Sequence, residues 1–236
     1  GLGWELTRRY LSAGYHVLML DVQEELLQQR RSEIGPSDSI ATACINIADS
    51  AAVAEFCQRY ISANSRLDVL INNAGITHRS LAEKTDVAVF RRVMAVDYQG
   101  PVELSLQLLP ALKACSGTIV NVGSMAGWMP VLGRSGYCAA KSALHQFFET
   151  LRGELAGTGV HLLMVYPSFL DTPIETNALG HDGQKAKHAR SMVGKMRSAD
   201  WMANEIFEDQ HKNRSRLFPD KFTYFASLLY RLWPSL

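Results

Sequence analysis

Five short apolar segments, separated by stretches of helical pattern, constrain the fold of this chain more than any other feature. Each runs into small or polar residues, as β-strands do where a loop begins. The segments are residues 15–21, 43–49, 68–75, 118–122 and 160–172. No linker or internal repeat interrupts the alternation, and 236 residues that are 47% hydrophobic can bury a sizeable core. The pattern predicts one α/β domain over residues 1–236.

Three residues that follow the fourth apolar segment form a candidate catalytic group. Ser124 follows that strand, and Tyr137 and Lys141 stand four residues apart in a predicted helix, hence on one face of it. A phenol that exchanges a proton near neutral pH needs its pKa lowered by roughly two to three units, about 3–4 kcal/mol. The Lys141 ammonium is placed to supply much of that shift. Because Tyr-x3-Lys alone is a weak motif, the surrounding sequence decides its weight.

Residues 117–144 read GTIVNVGSMAGWMPVLGRSGYCAAKSAL, a buried strand, a small-residue turn, a loop and a helix. This segment resembles the active-site segment of the short-chain dehydrogenase/reductase (SDR) family, and further matches extend over roughly residues 1–175. The resemblance implies a doubly wound, Rossmann-like fold with a mainly parallel sheet in three layers. It also implies an enzyme that interconverts a secondary alcohol and a ketone with NAD(P). Tyr137 would be the general acid/base, Lys141 would lower its pKa and bind the nicotinamide ribose, and Ser124 would position the carbonyl oxygen.

The same resemblance implies a set of cofactor-binding residues. Gly1-Leu2-Gly3 resembles the end of a glycine-rich turn that brings a pyrophosphate to a helix N-terminus. The other positions are Asn46 and Ile47 near the adenine, Asn73, Ala74 and Gly75 near the adenosine ribose, and Pro167, Leu170 and Thr172 near the nicotinamide. Since the sequence begins inside the glycine-rich turn, we expect a preceding strand to be missing from it. Two neighbouring strands would then lack a partner.

Asp21 bears on the choice of cofactor. It ends the first apolar segment 18 residues after Gly3, where an acid accepts hydrogen bonds from the adenosine ribose and repels a 2′-phosphate. This favours NAD over NADP. The other interpretation is that Asp21 caps the helix predicted near Glu24.

Three residues depart from the family pattern. Asn46 stands where the family often has Asp, but its amide keeps a hydrogen-bond acceptor. Asp97 stands where the family usually has Asn at a helix distortion, and its charge would offset the Lys141 ammonium and leave Tyr137 less acidic. An exposed or ion-paired Asp without a catalytic role is an equal interpretation.

Ser168 replaces a glycine in the turn after residue 167. Because serine tolerates a positive φ poorly, a turn that needs this conformation would be strained. These departures and the incomplete glycine-rich turn leave open a non-catalytic dinucleotide sensor or scaffold. A second alternative keeps the fold and the same tyrosine but is an SDR-type isomerase or dehydratase.

Composition limits the remaining possibilities. A net charge of +1 argues against nucleic-acid binding. The four cysteines form no CxxC pair and fall in apolar segments, which predicts reduced, mostly buried thiols and a cytoplasmic location. The seven histidines show no metal-binding spacing, so we predict no metal and interpret them as solvated polar residues.

Several further segments bear on the substrate and on partners. Residues 173–198 are polar and glycine-punctuated, which predicts a flap over the substrate. Residues 220–236 predict an apolar C-terminal helix that packs on its own domain or on another subunit, or else lies in a membrane interface. That helix and the apolar residues 128–132 favour a hydrophobic alcohol or ketone. The helices expected at about residues 86–113 and 134–157 resemble those that pair SDR subunits, which implies a homodimer or homotetramer.

Overall fold

A computed structural model describes residues 1–187 and 196–233. Within these ranges helices and strands alternate. The helices are α1 (Leu2–Ser12), α2 (Glu24–Ile34), α3 (Ser50–Ala63), α4 (Val87–Met94), α5 (Gly100–Lys113), α6 (Ser135–Glu154), α7 (Ala199–His211) and α8 (Lys221–Leu232). The strands are β1 (Val17–Asp21), β2 (Ile40–Cys44), β3 (Val69–Asn72), β4 (Thr118–Val122), β5 (His161–Val165), β6 (Leu170–Asp171), β7 (Arg197–Ser198) and β8 (Arg216–Leu217).

The strand pairs are parallel, as the alternating pattern of strands and helices requires. One sheet has the order β3-β4-β5-β8, a second pairs β1 with β2, and β6 with β7 forms a short third ladder. The register places Asn72 of β3 opposite Asn121 of β4. Because parallel strands end at a common edge, the loops after β3, β4 and β5 meet there, and these loops hold the candidate site.

Strands β1 and β3 are not hydrogen-bonded to each other, and within the described ranges no other strand pairs with the edges that they turn toward each other. β1 and β3 therefore each have one edge that pairs with no described strand. Leu18 and Leu20 of β1 and Val69 and Ile71 of β3 line the open space between them.

Helices cover both faces of the main sheet and make three layers. Alternate residues of β4 and β5 point to opposite faces, and both sets are buried because each face packs on helices. The core on the α3, α5 and α6 side includes Val53, Phe56, Leu104, Leu112, Ile119, Leu144, Phe148 and Leu162. The core on the α1 and α7 side includes Leu6, Tyr10, Val120, Leu163, Met202 and Ile206. The doubly wound fold predicted from the sequence is confirmed.

The C-terminal helix α8 is half packed. Tyr224 lies against Phe218, with ring centroids 4.3 Å apart, and the Arg231 guanidinium lies 4.1 Å from the centre of the Trp128 ring. The opposite face leaves large apolar side chains exposed, namely Phe222, Phe225, Leu229 and Leu232. No helix of the described chain combines the length and the apolar character that crossing a bilayer requires.

Two predictions about polar side chains are wrong. Of the four free cysteines only Cys57 is buried, and Cys44 is exposed because it lies in the outer strand β2. Two histidines are buried rather than solvated: His78 is inaccessible to solvent and His145 is 8% exposed. Both are hydrogen-bonded, as burial of an imidazole requires.

Candidate active site

The candidate catalytic residues come from the loop after β4 and from the start of α6. Ser124 caps the short 3-10 helix Met125–Gly127, and its Oγ accepts a hydrogen bond of 3.1 Å from the Ala126 N–H. Tyr137 and Lys141 lie in the first two turns of α6, on the face that packs toward β4. Their side chains are nearly enclosed, with residue exposures of 8% and 4%.

The three side chains meet in the structure. The Lys141 Nζ lies 5.7 Å from the centre of the Tyr137 ring and donates a hydrogen bond of 3.1 Å to the Val122 carbonyl at the end of β4. Ser124 lies near enough to the Tyr137 hydroxyl to offset part of the rise in pKa that burial causes there. The spacing read from the sequence therefore produces a compact group of a phenol, an ammonium and a hydroxyl.

Asp97 is a fourth member of this group and lies next to Lys141. It lies in a π-helical turn, Ala95–Gln99, between α4 and α5, so the helix distortion that the family resemblance implied is present. Its carboxylate is inaccessible to solvent, with Oδ2 3.2 Å from Lys141 Nζ and Oδ1 accepting a hydrogen bond of 2.8 Å from the Ile76 N–H. Gly75 makes this approach possible, since a Cβ there would lie 3.2 Å from Oδ2. Asp97 is ion-paired, and its partner is the candidate catalytic lysine.

Burial and neighbouring charges shift the pKa values of Tyr137, Lys141 and Asp97 in opposing directions. Burial raises the pKa of Tyr137 above its ordinary value, Lys141 lowers it, and Asp97 raises it again. Burial works to lower the pKa of Lys141, but the nearby Asp97 carboxylate and Tyr137 raise it above its usual value, so the side chain stays an ammonium. Burial likewise raises the pKa of Asp97 against the opposing effect of Lys141. The net lowering of the Tyr137 pKa expected from the sequence is therefore wrong for this state of the protein, because burial and Asp97 outweigh the ammonium.

The predicted cofactor-binding residues line one cavity together with the catalytic three. That cavity has a volume of about 2070 Å³ and extends into the space between β1 and β3. Its walls include Gly1, Leu2, Gly3, Asp21, Asn46, Ile47, Asn73, Ala74, Gly75, Ser124, Tyr137, Lys141, Pro167, Leu170 and Thr172. Asp97 is not part of the wall, since it lies behind Lys141.

Close contacts between the first glycines and neighbouring side chains form the cavity wall at the N-terminus of α1. The N-terminus of α1 meets the loop after β3 so closely that a Cβ on Gly3 would lie 2.8 Å from Asn73 Nδ2. The loop after β5 brings Thr172 beside Gly1. Ser168 is not among the residues with a positive φ, so its replacement of glycine leaves the turn unstrained.

Asp21 and Asn46 line the cavity where β1 and β2 end. Asp21 ends β1, and its Oδ1 accepts a hydrogen bond of 3.0 Å from the Gln23 N–H. The N-cap of α2 is Gln23, so Asp21 does not cap that helix. Asn46 is exposed, and its Oδ1 accepts a hydrogen bond of 3.1 Å from the Ala48 N–H.

Sequence reasoning missed a polar cluster beside Tyr137. Arg134 immediately precedes α6 and donates two hydrogen bonds of 2.7 Å to the Glu175 carboxylate, to which Arg79 also donates one of 2.9 Å. These ion pairs hold residues 173–180, the start of the predicted flap, against the site. The three residues are far apart in the sequence and belong to no spaced motif, so no sequence pattern predicts that they come together. Part of the flap, residues 188–195, lies outside the described residues.

Comparison with known proteins gives consistent matches. The family model described as short chain dehydrogenase matches residues 1–182. The "Dehydrogenase/reductase SDR family member 7B" of Rattus norvegicus is 30% identical over 99% of this chain and 76% of its own length. The "Dehydrogenase/reductase SDR family protein 7-like" of Drosophila melanogaster is 29% identical over 100% of this chain and 74% of its own.

Solved structures show the same fold. A short-chain dehydrogenase from Streptomyces avermitilis superposes with a TM-score of 0.84 at 22% identity, over 100% of this chain and 90% of that one. A metagenomic short-chain oxidoreductase in complex with NADP gives a TM-score of 0.66 at 28% identity, over 71% of this chain and 77% of that one.

Proposed function

This chain belongs to the short-chain dehydrogenase family, and we propose that it interconverts a ketone and a secondary alcohol with NAD(P), using Tyr137 as general acid/base. One observation carries the proposal. Tyr137, Lys141 and Ser124 meet at the wall of the same cavity that the glycine and asparagine loops line. A protein that only binds a dinucleotide does not require this group.

The N-terminus of α1 supports binding of a dinucleotide. Gly1, Leu2 and Gly3 line the cavity there, and no side chain of the described residues caps the free N–H groups of the first turn, which suits a pyrophosphate. Asp21 would bind the adenosine ribose, and Lys141 the nicotinamide ribose. When bound, the reduced nicotinamide supplies the hydride that the carbonyl carbon accepts.

The residues of this chain supply the proton and the orientation. Ser124 and Tyr137 hydrogen-bond the carbonyl oxygen, and Tyr137 donates its phenolic proton to that oxygen as the carbonyl carbon is reduced. The phenolate that remains lies beside the Lys141 ammonium, which stabilises it. Because the pKa of Tyr137 is raised, the phenol is protonated at neutral pH, the form that reduction requires. We therefore propose that ketone reduction is rapid near neutral pH and that alcohol oxidation accelerates toward alkaline pH, where the phenolate forms.

We propose NAD(H) as the preferred cofactor because of Asp21, whose carboxylate would repel a 2′-phosphate. Arg30 also lines the cavity, but its guanidinium is ion-paired with Glu33 at 2.7 Å and is thus already engaged. Direct titration with NADH and NADPH, followed by nicotinamide fluorescence, tests this preference. Tighter binding of NADPH would contradict it.

We propose a hydrophobic substrate because apolar side chains line the outer part of the cavity. They are Met129, Val131, Leu132, Phe222 and Ala226. Trp128, which the sequence placed with them, instead packs on Tyr166 and Phe218 in the aromatic cluster under α8.

Assembly and location are further proposals. The exposed side chains of Leu106 on α5 and Val87 on α4 support a homodimer or homotetramer through these helices and α6, which light scattering would test. The free cysteines support a cytoplasmic location.

The exposed face of α8 supports peripheral membrane contact. A flotation assay with liposomes tests this proposal. Protein that sediments both with and without liposomes would contradict it.

One observation favours a second candidate function, a dinucleotide sensor without turnover. Asp97 counteracts the ammonium that would acidify Tyr137. A screen of apolar ketones and alcohols, following the absorbance of reduced nicotinamide, separates the candidates. Cofactor binding without turnover of any substrate would favour the sensor, and product formation without net change in the cofactor would favour an isomerase or dehydratase.

A further inference from the structure

The helix that carries Tyr137 and Lys141 begins without a cap of its own. The N-cap position of α6 is Arg134, whose side chain makes no capping hydrogen bond. A guanidinium can only donate hydrogen bonds, so it cannot satisfy the free N–H groups of the first turn. Those groups include the N–H of Gly136, immediately before Tyr137.

A buried histidine from another part of the chain fills this role. The Gly136 N–H donates a hydrogen bond of 2.9 Å to Nε2 of His78, a residue with no solvent exposure. Phe90 of α4 packs edge-on against the imidazole, with ring centroids 5.4 Å apart. A Cβ on Gly136 would lie 2.6 Å from Phe90 and 3.1 Å from Nε2, so only glycine permits this contact.

A chain of hydrogen bonds fixes the tautomer of this histidine. Thr85 Oγ1 donates to the Leu81 carbonyl at 2.7 Å, so in its 2.7 Å contact with Ser80 Oγ it must accept. Ser80 has then used its proton and must accept from His78 Nδ1, which lies 3.4 Å away. Nδ1 therefore carries the proton, and Nε2 is a bare acceptor that faces a backbone donor.

We propose that His78 is a positioning residue, a neutral imidazole that caps the catalytic helix from outside and fixes the placement of Tyr137. The proposal rests on the proposed function for its consequence in catalysis, but the cap itself does not. Protonation of Nε2 would place a donor against the Gly136 N–H and a positive charge at the helix N-terminus, both of which destabilise the contact.

The surroundings keep the imidazole neutral. Burial and the positive charge of Arg134 lower the pKa of His78 below its ordinary value. Arg134 and Arg79 both donate hydrogen bonds to the Glu175 carboxylate. Around His78, α4 provides the Phe90 ring and the flap provides the backbone of Leu179. A histidine with a lowered pKa in the fold contributes stability above its ordinary pKa of 6.5, and that contribution is lost as the pH falls below this value. Positioning of Tyr137 should fail on the acid side.

The direct test is NMR of the full chain with 15N-labelled histidine, with His78→Gln used to assign the His78 signals. We expect a protonated Nδ1 and a bare Nε2 at neutral pH, and titration below pH 6.5, the ordinary value for histidine. A proton on Nε2, or titration at or above that value, would overturn the proposal. This measurement uses no substrate, so it stands even if the protein proves inactive.

Two variants connect the cap to catalysis. In His78→Gln the amide oxygen replaces Nε2 as acceptor, so we expect kcat within about twofold of the native value and loss of the acid limb in the pH profile. In His78→Ala we expect about tenfold lower kcat and about tenfold faster amide exchange at Gly136, with little change in KM. If His78→Ala leaves both quantities unchanged, or if glutamine fails to rescue them, the proposal is wrong. Should the alanine variant not fold, the NMR titration of the native protein still decides.

Discussion

Replacement of Asp97 by Asn should move the pH dependence of catalysis toward acid. The substitution removes a buried negative charge but keeps an oxygen for the hydrogen bond from the Ile76 N–H. Lys141 Nζ lies 3.2 Å from Asp97 Oδ2 and 5.7 Å from the Tyr137 ring centre, so the carboxylate is at most about 8.9 Å from the ring. With an effective dielectric constant of about 20, charges at that separation interact by about 1.9 kcal/mol, or about 1.4 pK units.

The charge of a phenolate lies mainly on its oxygen, about 3 Å from the ring centre, so the smallest shift for the coupled pair of Tyr137 and Lys141 is about one pK unit. If Tyr137 loses the first proton, the missing carboxylate lowers the apparent pKa by at least about one unit. If Lys141 loses it instead, the shift is larger because Lys141 lies closer to the removed charge. Either way the apparent pKa falls, and alcohol oxidation below that pKa should accelerate about tenfold or more.

The assay is the pH profile of kcat for alcohol oxidation, measured with saturating cofactor. Glu25→Gln, which removes a carboxylate from the exposed surface of α2, is the matched control and should leave the profile in place. An Asp97→Asn enzyme that folds normally and keeps the native profile would refute the electrostatic reasoning.

Three smaller predictions concern the cofactor, the core and the surface. Asp21→Ser should improve binding of NADPH relative to NADH by about tenfold, measured by fluorescence titration, and an unchanged ratio would remove Asp21 from cofactor selection. Asn72→Ala should lower the free energy of unfolding by about 1–3 kcal/mol in urea titrations because it leaves the Asn121 oxygen without its 2.7 Å partner; stability within 0.5 kcal/mol, roughly the effect of a surface change, would contradict this. Two arginines hold the pKa of the Glu149 carboxylate at about 2 against the effect of burial, so its stabilising contribution should be lost as the pH falls from 4.5 toward 2. Glu149→Gln should flatten this part of the acid unfolding curve, and an equally steep curve would count against it.

The fold was predictable because its signal is local and repeated. Strands β3, β4 and β5 of the main sheet are short apolar runs, and the run before Asn72 continues into the small residues that the following loop needs. Tyr137 and Lys141 were predictable for the same reason, since a four-residue spacing on a helix fixes their relation without knowledge of the rest of the fold.

The electrostatic partners were not predictable in the same way. Asp97 was recognised as a departure, but its full burial against Lys141 depends on how α4, the π-helical turn and α6 pack together. In the sequence His78 is a single histidine in a polar stretch, and its contact with Gly136 spans 58 residues. Contacts of that separation leave no periodic trace in one sequence, so the buried polar partners of the site required the structure.

The most direct test of the account is the activity and cofactor binding of Tyr137→Phe, measured side by side on the substrate that the screen identifies. The variant removes one hydroxyl and keeps the ring that packs beside Lys141. We predict that kcat falls by about 10²–10⁴-fold while the Kd for the reduced cofactor stays within about twofold. Retention of native kcat by this variant would contradict the central claim that Tyr137 delivers the proton.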